Sequence, residues 1–173
     1  MTEQQEASED AVMTRIGQAV ILLHAGDREE ARNRLGELWS EIGEEGDSLH
    51  RCTLAHYLAD AQDDPADELA WDLRALTAAD RLRDTPSAEP EPHLAMRVFY
   101  PSLHLSLAAD YVKLKRPEAA RVHLARARAA TGALSDDGYG NGVRAAIARL
   151  ERRLATEPDG GHRNHRPFPE QSP

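Results

Sequence analysis

The densest chemistry in this 173-residue chain lies in one short stretch, His50, Cys52, His56 and Asp60. Cys52, His56 and Asp60 stand four residues apart, which sets a thiol, an imidazole and a carboxylate on one face of a helix. These are zinc-ligand types, and a zinc site takes about four ligands, or three and a water. At the helical rise, however, the outer two lie roughly 12 Å apart, too far to share one ion. The reading that follows is a buried cysteine, with His56 and Asp60 hydrogen-bonded where helices meet. A small enzyme or metal-dependent sensor centred on His56 and Asp60 is the alternative.

Other reactive residues have weaker settings. His162 and His165 lie in a proline- and glycine-rich end with no thiol or acidic companion at ligand spacing. Gly138 to Gly142 follows no predicted strand, so it lacks the context of a nucleotide-binding loop. No serine elbow or catalytic-cysteine signature is present. The expectation is a chain with no catalytic residues, no cofactor and no metal, one that binds rather than catalyses. Trp71, with Asp72 and Arg74 beside it, has the residue types that anchor interfaces. The plainer assignment for Trp71, and for Trp39, is packing between helices.

Composition places these residues on helices. Arginine outnumbers lysine 19 to 2, alanine is abundant, and such usage matches a high-GC bacterial coding bias. It also favours helix, because these side chains lose little rotamer freedom there. The single cysteine forms no internal bridge, and the acidic segment from Met1 to Asp10 is unlike an export or mitochondrial leader, so the expected location is cytoplasmic. The longest apolar run, Ala19 to Leu23, is far below the approximately 20 residues that span a bilayer. The net charge of −9 is uneven: residues 1–112 sum to −14 and residues 113–153 to +6. Solvated helix faces account for this, and so does an acidic surface facing the basic end. Nucleic acid is disfavoured as a partner, because most of the chain would repel phosphate.

Hydrophobic spacing and stop signals predict about seven helices and no strand. The first starts with Ser8 as its N-cap and ends at Ala25-Gly26. Asp27, Asp47 and Asp64-Pro65 open the next three. The proline-rich stretch 84–92 is expected to be a loop. Helix five runs from about His93 to Leu114 with a kink or break near Phe99 caused by Pro101. Helix six starts at Arg116-Pro117. Helix seven runs from about Val143 to Ala155, after a glycine-rich turn from Ser135 to Gly142. Residues 1–7 are expected to be a flexible N-terminus, 8–156 the folded domain and 157–173 a disordered tail.

The chain also repeats. Gly26-Asp27-Arg28-Glu29-Glu30-Ala31, followed by Leu35 and Leu38, returns 89 residues later as Lys115-Arg116-Pro117-Glu118-Ala119-Ala120, followed by Leu124 and Ala127. In this respect it resembles the tetratricopeptide repeat: Ala108, Tyr111, Ala120 and Ala127, with Leu107 and Leu124, match that pattern, and Ala19, Ala31 and Leu35 match it in the first pair. The pattern's tryptophan is replaced by Arg15 and His104. The resemblance implies an all-α stack of antiparallel helix hairpins, a tetratricopeptide-like α-solenoid with degenerate repeats. It also implies a concave groove lined by the first helix of each pair. Carried onto this chain, that groove comprises Met13, Ile16, Val20, Leu23, Arg51, Leu54, Leu58 and Leu105, with Ala109 and Val112 beside them. Its expected role is an adaptor or regulatory subunit binding a protein or peptide through apolar anchors, with a second copy of the chain as one candidate partner.

Overall fold

The computed structural model describes residues 3–86 and 91–156. Those residues form an all-α protein of seven helices: α1 (Glu3–His24), α2 (Arg28–Ile42), α3 (Ser48–Asp60), α4 (Pro65–Asp84), α5 (Glu91–Lys113), α6 (Pro117–Ala129) and α7 (Gly138–Thr156). A single 3-10 turn, Thr131–Ala133, precedes α7. Two of the three aspartate start signals act as side-chain caps, while Asp27 precedes α2 without a side-chain cap hydrogen bond. The Asp47 carboxylate accepts from the His50 N–H at 3.0 Å, and that of Asp64 accepts from the Ala66 N–H at 2.7 Å. Each satisfies one of the donors that a helix start leaves orphaned, worth about 1 kcal/mol.

Three boundaries differ from expectation. α1 begins at Glu3, so Ser8 lies inside the helix rather than capping it. Glutamate, glutamine and alanine at its start are good helix formers, and acidic residues suit the positive end of the helix dipole. α5 runs as one element from Glu91, two residues before its expected start, past the buried Pro101 to Lys113, so of the kink or break expected near Phe99 the break is not there; of the expected loop 84–92, residues 87–90 lie outside the described residues. α7 starts at Gly138, five residues early, because the Asp137 carboxylate accepts from the Gly140 N–H at 2.8 Å and converts the glycine-rich turn into a first helical turn. Gly140 is required there, since a Cβ would collide with the Ser135 carbonyl oxygen. The expected tail, with His162 and His165, lies outside the described residues.

The repeated sequence is a repeated turn. The Asp27 N–H donates to the Leu22 carbonyl at 3.0 Å, and 89 residues on the Arg116 N–H donates to the Tyr111 carbonyl at 2.8 Å. Gly26 N–H to Leu23 and Lys115 N–H to Val112 form the second pair. Both turns place their central residue in the left-handed region, Gly26 at φ 91° and Lys115 at φ 58°. This is a glycine-type helix end, and at the second copy a lysine adopts it.

Each helix packs on the next, and α1 with α3, α3 with α5, and α5 with α7 also touch. The core is accordingly divided. Ile16, Leu35, Leu38, Leu54 and Leu58 form one cluster across α1 to α3. Cys52, Ala75, Ala79, Met96 and Leu103 form another across α3 to α5. Leu124, Val143, Ile147 and Leu154 join α5 to α7 in a third. Each fully buried leucine contributes about 2 kcal/mol by leaving water. Alanines at the helix contacts let the backbones approach closely.

Candidate functional site, a buried carboxyl cluster beneath an aromatic face

The expected groove residues are mostly spent on the core. Ile16, Leu23, Leu54 and Leu58 are buried, Val20 packs on the first cluster and Leu105 on the third. Arg51 is half-buried, its guanidinium 4.1 Å from the centre of the Trp39 ring. Only Met13 is open, at 43% exposure. The physical reason is that α1, α2 and α3 bury these apolar stripes against one another. An apolar groove built from these eight residues is not on the surface. Trp39 and Trp71 do pack between helices, edge to face at 5.1 Å.

Chemistry gathers instead where α3, α4 and α5 meet. Glu68 and Asp72 stand one turn apart on α4, and Asp110 faces them from α5. One oxygen from each lies within 4.8 Å of the others. Asp72 is 2% exposed and Asp110 1%. The Lys113 ammonium donates to both Glu68 oxygens, at 3.0 and 2.9 Å, and closes the cluster on its outer side. From α3, the His56 Nδ1 lies 3.9 Å from the Asp72 Oδ1, beyond hydrogen-bond reach. Both atoms are buried without a partner, as are both Asp110 oxygens.

Buried carboxylates without donors are costly, and protonation resolves the cost. Burial, reinforced by Asp72 and Glu68, pushes the Asp110 carboxyl up to about 11. Burial raises Asp72 to about 7, while the neighbouring Asp110 works in the opposite direction. Asp110 therefore carries a proton at neutral pH, which lowers the cost of burying it beside Asp72 and Glu68. Burial lowers His56, against the pull of Asp60, so its imidazole is neutral. Asp60 is exposed and its carboxyl is raised by partial burial, and the hydrogen bond expected for His56 at the helix contact is missing at its Nδ1. Cys52 is fully buried, its thiol pushed up to about 12 by burial, and so is a packing residue rather than a nucleophile.

Above this cluster sits an aromatic layer. The His56 ring meets Phe99 edge-on at 5.0 Å and Tyr57 at 5.4 Å. Phe99 in turn lines a shallow apolar hollow of about 500 Å³ with Leu94, Ala95, Val98 and Tyr139. Leu94, Val98 and Tyr139 are 54%, 38% and 48% exposed, and a 2.6 Å hydrogen bond between the Tyr139 and Ser102 hydroxyls fixes the ring from α7. Sequence reasoning missed both layers. Asp110 did leave a trace, a carboxylate falling three residues after Leu107 on the face that Leu103 and Leu107 bury. Its pairing with Asp72, 38 positions away, left none.

No helix among the described residues is long and apolar enough to cross a membrane. No family model, curated protein or solved structure matches the chain.

Proposed function

We propose that this chain is a protein- or peptide-binding module of tetratricopeptide-like construction, serving as an adaptor or regulatory subunit. The observation that carries the reading is the open apolar face of α5, where Leu94 and Val98, one turn apart, flank Phe99 and the tethered Tyr139. Exposed apolar side chains gathered beside a fixed aromatic ring accept the i, i+4 anchors of an amphipathic helix. The repeated turn at Gly26 and Lys115 supports the stacked-hairpin part of the reading. The test is affinity purification of the full chain from its native cells beside the double variant Leu94→Asp, Val98→Asp. Both positions are exposed, so the variant keeps its helical circular dichroism. A stoichiometric partner recovered with the wild type and lost with the variant supports this face. Equal recovery with both would overturn it.

The carboxyl cluster favours a second reading, a metal-dependent sensor. Glu68, Asp72 and Asp110 offer hard oxygen donors at mutual distances that suit one divalent ion. A cation there displaces the Asp110 proton, so binding releases protons. Titration of manganese or calcium into the full chain, in two buffers of different ionisation enthalpy, measures that release directly. Heat that depends on the buffer and vanishes in Asp72→Asn supports a cation site; no heat in either buffer excludes it.

A further inference from the structure

A second cavity, which shares no lining residue with the α5 face and is independent of the reading above, lies between the end of α2, the start of α3 and one side of α4. It has a volume of about 600 Å³. Three arginines converge on it, in a chain whose net charge is −9. Arg51 comes from the first turns of α3, and Arg74 and Arg81 project from one α4 face two turns apart, about 10 Å along the axis.

Two of these guanidiniums are held in place. Trp39 and Trp71 meet edge to face at 5.1 Å, and each carries an arginine on its ring, Arg51 at 4.1 Å and Arg74 at 4.3 Å. A guanidinium lying on an indole has its flat face occupied and its N–H edge free, and that edge is the part that binds an oxyanion. Arg51 spends one donor on the Gly43 carbonyl and is thereby oriented. Among the described residues, the side chains of Arg74 and Arg81 have no hydrogen bond or ion pair. Glu44 and Glu45, exposed on the α2–α3 turn, rim the cavity and limit it to ligands charged enough to outcompete them.

We infer that this cavity is a binding site for a phosphate group, either free or carried as a monoester. A dianion with three acceptor oxygens matches converging guanidinium edges better than a single carboxylate does. Two arginines preset on aromatic rings also lose little freedom on binding.

The chain's two tryptophans both lie at this site, so their fluorescence reports on it without labelling. The full chain is titrated at constant ionic strength with inorganic phosphate and with a blocked phosphoserine, using chloride and blocked serine as controls. Isothermal calorimetry runs in parallel, because removing Arg74 changes the baseline emission of Trp71. The expected result is saturable binding of phosphate or its ester, weakened at least tenfold in Arg74→Gln and Arg81→Gln and unchanged in the remote, exposed Arg126→Gln. Tighter binding of the ester assigns the natural ligand as a phosphorylated compound; equal or weaker binding assigns free phosphate. A response matched by chloride, or one that survives in both cavity variants, would refute the site. All three positions are solvent-facing, and unchanged circular dichroism shows that a loss of binding is not a loss of fold.

Discussion

Replacing Asp110 by asparagine tests the protonated cluster most directly. In the folded chain the Asp110 carboxyl titrates far above its ordinary value of 3.8, with Asp72, Glu68 and Lys113 as its charged neighbours. Between about pH 7 and about pH 8.5 the native state therefore holds a proton that the unfolded state has given up, and stability must fall as pH rises. One proton corresponds to about 1.4 kcal/mol per pH unit, so the loss across that window is about 2 kcal/mol. This is a sizeable share of a total of roughly 5–15 kcal/mol. Other groups act mainly at the ends of that window: at the lower end Asp72, near 7, adds the same sign while His56, His104 and His123, all lowered by burial, offset part of the loss, and at the upper end Cys52, its thiol pushed up to about 12, adds the same sign again. Asp110→Asn keeps the size of the side chain and a permanent donor, so its stability should fall much less steeply than the wild type above about pH 7.5, the remaining slope coming from Cys52, and should exceed the wild type at the upper limit. Urea unfolding followed by circular dichroism at several pH values measures both slopes. A wild-type stability that climbs with pH in this window, or an equal slope in Asp110→Asn, would refute the assignment.

Three further outcomes follow from the packing. Leu58→Ala opens a cavity in the first cluster and should cost about 2–5 kcal/mol by urea titration, while Met13→Ala should stay within about 0.5 kcal/mol, although both belong to the groove expected from sequence. Lys115→Gly should raise stability by roughly 0.5–1 kcal/mol, because glycine removes the left-handed strain at φ 58° that Gly26 avoids; a lower melting temperature would contradict this. Gly140→Ala should destabilise by about 1–3 kcal/mol through its clash with Ser135, seen as a fall in the calorimetric melting temperature.

The helices were legible where local chemistry decides them. Asp47 and Asp64 are carboxylates that cap their own helix starts, and the turn at Gly26 announced its twin at Lys115 through sequence alone. Reading failed where a distant group intervenes. The α7 start depends on Asp137 reaching Gly140, which a glycine-rich stretch conceals. The direction in which the apolar stripes of α1 and α3 face depends on how hairpins stack, and one sequence shows periodicity without showing what covers it. Of the central cluster, helix three gave His56. Asp72, which approaches it to 3.9 Å from the next helix, was read only as a neighbour of an interface tryptophan. The phosphate cavity has the same character: Trp71 and Arg74 are neighbours in sequence, but Trp39 and Arg51 reach them only through the fold.

The division of the core into successive clusters bears on how harm spreads through the molecule. Because each helix leans chiefly on those adjacent in order, an injury at α7 removes support from α5 and α6 and leaves the junction of α1, α2 and α3 intact. The chain resembles a short row of bricks more than an arch: an outer course can loosen and reseat while the middle, with its acid cluster and arginine cavity, keeps its shape.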